Sequence, residues 1–150
     1  MNVLRTNRNR VYSATSKHNQ LSNVLKWFTI LLAMFSFVYM AAYGFIALID
    51  GDYVRSASGE FAGELGPWSY LVSAVGIDPT SVIMKLCFLV WGLGGLSITV
   101  WFSLHPRKAW APLFILNISS VWYLWIGAGS AIVQIMLLII WRAIRQISRD

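Results

Sequence analysis

Histidine, cysteine and carboxylate are the scarce groups in this chain: 150 residues hold two histidines, His18 and His105, one cysteine, Cys87, and six acids. A single cysteine excludes an intrachain disulfide and any multi-cysteine metal site, and it gives no reading of the redox compartment. Two histidines, one in a polar N-terminal segment and one beside a proline, supply neither paired axial ligands for a haem nor a two-histidine metal site. They leave no basis for an imidazole-dependent nucleophile or proton relay. Five of the acids, Asp50, Asp52, Glu60, Glu64 and Asp78, fall together between positions 50 and 79, and the sixth is Asp150. None lies inside an apolar run, so a proton- or sodium-coupled pump of the carboxylate type lacks its parts. The spacing of the five suits a solvated acidic loop better than a cation site. The expectation is a protein that is not an enzyme, with no catalytic residues, no metal and no cofactor.

Apolar residues are abundant. They make up 57% of the chain against 12% charged, and the mean hydropathy of +0.62 belongs to the membrane class. The net charge of +6 is carried at the ends of apolar runs, where it meets lipid headgroups. That distribution makes the lipid bilayer the expected partner, and no nucleic acid.

The longest such run organises the rest. Between the basic corner His105-Pro106-Arg107-Lys108 and Arg142, Arg145 and Arg149 lie the 33 uncharged residues Ala109 to Trp141. As one helix they would be roughly 50 Å long against a hydrocarbon core of about 30 Å, so they should fold back on themselves. The natural break is Gly127-Ala128-Gly129-Ser130, with Gly127 and Gly129 as turn residues and short spans over about 110–126 and 131–147. Two short spans imply local thinning of the bilayer or a turn sunk below its surface.

Ahead of this hairpin, residues 1–23 carry Arg5, Arg8, Arg10 and Lys17 among polar residues without apolar periodicity. They read as a flexible basic tail, with a transit peptide or a long signal n-region as alternatives. The tail leads into a single transmembrane domain over 24–150. Its first span, about 27–49, has Ala33, Ser36, Ala41, Ala42 and Gly44 as close-contact positions, and Tyr39 and Tyr43 one turn apart for packing or for a ligand surface. In the acidic loop, Pro67 and Gly76 bracket a short outer interfacial helix whose Trp68, Tyr70, Leu71, Val72 and Val75 should touch lipid or helix ends as a cap or lid. Asp78-Pro79 has the form of a helix N-cap and first residue for the second span, placed at about 82–104. Within that span Lys85 can snorkel outward or enter a buried pair or substrate contact. Gly92, Gly94, Gly95, Ser97 and Thr99 form a candidate helix-packing face. Asn117 and Ser120 in the third span and Gln134 in the fourth complete the intramembrane polar set. With Lys85 they serve either interhelical hydrogen bonding or a small-molecule or lipid pocket.

Ten of the twelve Lys and Arg fall on one side if four helices span, which places both termini in the cytoplasm. Tryptophans agree: Trp27, Trp101, Trp110 and Trp141 form an inner belt, Trp68, Trp122 and Trp125 an outer one, and Trp91 sits between them. The expected class is all-α, an integral membrane four-helix bundle. Its place is a bacterial or archaeal cytoplasmic membrane, or alternatively an organellar inner membrane.

This layout resembles the DoxX-like group of small four-helix membrane proteins. The stretch Lys85 to Arg107, with Trp91-Gly92-Leu93-Gly94-Gly95 before the basic turn, carries the comparison, and the likeness of architecture covers about 120 residues. Lys85 stands where members often have an acid. The resemblance implies an inner-membrane accessory or redox-associated role and carries over no catalytic residue. Taken together, the residues point to a non-catalytic accessory or structural subunit that packs against its own copies or a larger membrane complex. The alternative is a small carrier or channel with a pocket beneath the outer loop.

Overall fold

The computed structural model describes residues 2–55, 57, 63–121 and 126–147, the side chains of 2–18, 126–128 and 147 excepted. Among these the chain is all-helical: α1 (Asn2–Asp50), α2 (Trp68–Ala74), α3 (Val82–Leu104), α4 (Pro106–Ser119) and α5 (Ile126–Ile147). Three stretches, Asn19–Asp50, Val82–Leu104 and Gly129–Gln146, are long and apolar enough to cross a membrane.

The expected elements appear with four changes. No Gly or Pro precedes Gly44, so nothing in the sequence stops the helix of the first apolar run from continuing backward, and α1 extends through 2–23, the segment expected to be unstructured. Asp78 is not the cap of α3. Its Oδ1 accepts from the Thr80 N–H and hydroxyl, both at 2.8 Å, in a local Asx turn, and Ser81 caps the helix through the Met84 N–H.

The third change concerns the hairpin. α4 starts at Pro106 and ends at Ser119, fourteen residues or roughly 21 Å, shorter than the span expected over 110–126. Its end follows from its last polar residues, which divert carbonyls of the final turn. Asn117 Nδ2 donates to the Leu113 carbonyl, the Ser119 hydroxyl reaches those of Ile115 and Leu116, and the Ser120 hydroxyl also takes Leu116. The chain turns at Ser120 and Val121, and Gly127 and Gly129 fall in the first turn of α5 instead of forming the break. Trp122 and Trp125 lie outside the described residues. The fourth change is one of degree: Trp68, expected against lipid or helix ends, lies against Phe88 near the start of α3 and Tyr53 just beyond α1, and is only 2% exposed.

Packing is cyclic: α1 lies against α3 and α5, and α4 against α3 and α5. Neighbours run antiparallel. Trp91 of α3 meets Ser120 of α4, Trp110 of α4 meets Leu138 of α5, and α1 meets α5 through Ser36 with Ser130 and Ser22 with Arg145. The α3–α4 corner, Lys26 of α1 and the C-terminal end of α5 therefore share one end.

The closest seam is α1 on α3. A methyl group on Gly92 would fall 2.7 Å from Ala41 Cα, one on Gly44 would fall 2.6 Å from the Leu89 nitrogen, and one on Gly95 would strike the Phe37 ring. Much of the small-residue face is thus spent inside the chain. Thr99, fully buried, returns its hydroxyl to the Gly95 carbonyl at 2.7 Å. Gly94 and Ser97 turn away from the other helices: Gly94 has open space around it, and exposed Ser97 bonds its own Leu93 carbonyl. One core, built on Phe37, Phe102, Leu113, Leu138 and Trp141, fills the end near the α3–α4 corner, and a second, around Tyr53, Trp68 and Phe88, fills the other.

Candidate functional site

Serine, asparagine and glutamine in apolar helices carry polar atoms that hydrocarbon cannot satisfy, so the fold must bring them to partners. Asn117, Ser120 and Gln134 are brought together. With Ser36 and Ser130 they line a small cavity between α1, α4 and α5, whose other walls are Phe35, Phe37, Tyr39, Met40 and Ala131. Ser36 sits near the middle of the α1 apolar stretch. Its hydroxyl bonds Ser130 Oγ at 2.9 Å and also its own Leu32 carbonyl. Gln134 Nε2 donates to Ser36 Oγ at 3.4 Å, while its Oε1, fully buried, has no partner among the described residues. Trp91, also near the middle of its helix, donates its indole N–H to Ser120 Oγ at 2.9 Å. The space left for the centre of a water-sized sphere is about 20 Å³, enough for one water, which would satisfy Gln134 Oε1.

Lys85 is not part of this cluster. It is 5% exposed, and its ammonium donates to the Gly51 carbonyl just beyond α1, where Gly51 takes the left-handed φ of +80°. A cation there also complements the negative end of the α1 dipole. Neither snorkelling nor an ion pair describes it: the lysine stem is buried and its charge ties α3 to the start of the α1–α3 connection. Lys85→Met is expected to cost about 1.5–3 kcal/mol, the range for a hydrogen bond to a charged group. Thermal unfolding in detergent reads this loss, and an unchanged midpoint would contradict the role.

Around that tie the outer segment packs as an aromatic stack. Trp68 meets Phe88 at 4.8 Å and Tyr53 at 5.2 Å between centroids, and Tyr43 stacks on Tyr53 at 5.0 Å and on Tyr39 at 6.0 Å. Tyr39 and Tyr43 are thus engaged in packing. The segment's carboxylates Asp52 and Asp78 are held locally, whereas the buried Tyr53 hydroxyl has no partner among the described residues. The Tyr53 N–H and the adjacent Arg55 hold the Asp52 carboxyl below its ordinary value, and the two Thr80 donors do the same for Asp78. A carboxylate favoured in this way contributes stability that is present at neutral pH and lost as pH falls through its folded value. A carboxyl titration by NMR should therefore place both midpoints below the usual value of about 3.9, and a midpoint at or above that value would contradict the geometry.

The residues that sequence reasoning missed are Ser130, Tyr53 and, as a hydrogen-bonding group, Ser36. Ser130 and Gln134 are one turn apart, a spacing that marks a shared face, whereas nothing in the loop sequence distinguishes buried Tyr53 from its exposed neighbours. At the end that holds the α3–α4 corner, Arg142 lies over the Trp110 ring at 4.1 Å and Arg145 over Trp141 at 5.2 Å. Comparison with protein-family models, curated proteins and solved structures finds no match to this chain.

Proposed function

We propose that this is a multi-pass, four-helix membrane protein that acts as a non-catalytic accessory or structural subunit, packing against copies of itself or a larger membrane complex. The observation that carries this reading is the set of hydrogen bonds across helices at the polar centre. Ser36 with Ser130 and Gln134, and Trp91 with Ser120, hydrogen-bond across helices around room for about one water, as interhelical fastening does and a solute path does not. The outward Gly94 and Ser97, beside exposed Val90, Leu93 and Trp101, leave an unpartnered face on α3 for another helix.

In this proposal α1 and α3 cross the bilayer, while α4 and α5 enter from the cytoplasmic side as a hairpin and return to it. The length of α4 and the meeting of Ser120 with Trp91 support a hairpin that turns inside the bilayer. The excess of Lys and Arg at the other end of that hairpin supports cytoplasmic termini. The membrane is the cytoplasmic membrane of a bacterium or archaeon, or an organellar inner membrane.

Gentle extraction from the native host with its lipids, followed by mass spectrometry, tests the reading. A stoichiometric larger partner or a defined homo-oligomer supports it. Recovery alone with one enriched small molecule would favour the carrier or channel reading, for which the unpaired Gln134 Oε1 is the specific pointer. Gln134→Leu separates the two: a subunit should lose about 1 kcal/mol of α1–α5 fastening and assemble less well. A variant that assembles normally but no longer passes a solute in proteoliposomes would overturn the subunit reading.

A further inference from the structure

At the inner end, α4 and α5 enclose a groove of about 240 Å³ lined by Arg107, Trp110, Trp141, Arg142, Arg145 and Gln146. Its chemistry is one-sided. Three guanidinium groups meet there, and the one ion pair among the described residues, Arg55 with Asp52, lies at the opposite end of the helices. The described acids, Asp50, Asp52, Glu64 and Asp78, all belong to that far end, and Glu60 and Asp150 lie outside the described residues. No acid among the described residues stands beside these three cations, and like charges so gathered repel one another unless an anion joins them.

The groove also holds its cations in place. Arg142 Cζ lies 4.1 Å from the Trp110 ring centroid and Arg145 Cζ 5.2 Å from that of Trp141, while Arg145 Nε donates to Ser22 Oγ at 3.1 Å. Stacking of this kind fixes the guanidinium planes and leaves their remaining N–H donors free for a planar or tetrahedral oxyanion. Trp141, 3% exposed, forms a rigid floor beneath Arg145. Tryptophans and arginines at a helix end mark headgroup depth, and the apolar stretch Gly129–Gln146 ends here.

We propose that this groove binds the phosphate of an anionic phospholipid headgroup, with Arg107, Arg142 and Arg145 as its ligands. The inference rests on the membrane reading above, which supplies the lipid. A free phosphate ion shares the recognised chemistry, but the groove's volume, many times the roughly 10–15 Å³ that one water needs by the same measure, leaves room for the ester arms of a diester.

The test uses the full chain in nanodiscs of phosphatidylcholine, with and without phosphatidylglycerol, with lipid retention read by native mass spectrometry after release. Wild type should retain phosphatidylglycerol over phosphatidylcholine, and R142Q/R145Q should lower that retention about tenfold. Arg55→Gln, at the other end, should leave it unchanged. Displacement of the retained lipid by inorganic phosphate would support recognition of the phosphate alone, and retention in excess phosphate would support the tethered lipid as the source. Insertion without a lipid preference, or with the same preference in R142Q/R145Q, overturns the proposal while leaving the subunit reading intact. Failure of the wild type to insert would sink both.

Discussion

Gly92→Leu is expected to separate α1 from α3 and to cost about 3 kcal/mol or more, at the upper end of what overpacking does. The first added carbon would fall 2.7 Å from both Cα and Cβ of Ala41, and it would press closer still on the Ala41 nitrogen. These are backbone and near-backbone atoms in mid-helix, so they cannot rotate aside as the end of a long side chain could. Gly44 and Gly95 make approaches of the same kind on the same seam, and a shift at Gly92 would therefore spread along it. Gly94→Leu is the control. It adds the same side chain two residues away, where nothing lies within 4 Å, and it should leave the thermal midpoint in detergent near that of the wild type or above it. Equal behaviour of the two variants would contradict the seam.

The second large effect is Trp68→Ala, with an expected cost of about 3–5 kcal/mol. Trp68 is 2% exposed, and its ring joins Tyr53 and Phe88, so the truncation removes the piece that fastens the outer segment onto α1 and α3. Because the core built on Phe37, Phe102 and Trp141 is a separate cluster, the damage should be local. Limited proteolysis of the segment between α1 and α3 should become much faster while the helical circular dichroism is largely kept. Cleavage at the wild-type rate would show that Trp68 does not anchor the segment.

Burial of Trp68 marks the limit of what the residues alone convey. Apolar runs were legible because hydrocarbon length and helix rise leave little freedom: α3 occupies Val82–Leu104 as expected, and α2 forms after Pro67. The gathering of Asn117, Ser120 and Gln134 around one cavity was legible for a similar reason, since polar groups on apolar helices are drawn to the interior of the bundle. What stayed hidden depended on competition between local signals. Glycine at Gly127 and Gly129 is a turn signal in water, but both fit the first turn of α5, whereas hydroxyl and amide back-bonding from Asn117, Ser119 and Ser120 ends α4 earlier. Asp78 had the form of a helix cap, yet a closer pair of donors on Thr80 captured it. Lys85 was misplaced because its partner is a backbone carbonyl, which no side-chain pattern reveals.

Both ends of the α4–α5 hairpin lie beside the α3–α4 corner and the Ser22–Lys26 turn of α1, and the short α4 turns back at the level of Trp91. The most direct measurement is therefore the sidedness of the chain ends, with a compartment-dependent reporter fused in turn to each terminus in the native host. A hairpin that enters and leaves by the same face predicts that both reporters score as cytoplasmic. A C-terminal reporter on the outer side would mean that α5 crosses the membrane alone, and would contradict the hairpin, the orientation and the inner phosphate groove together.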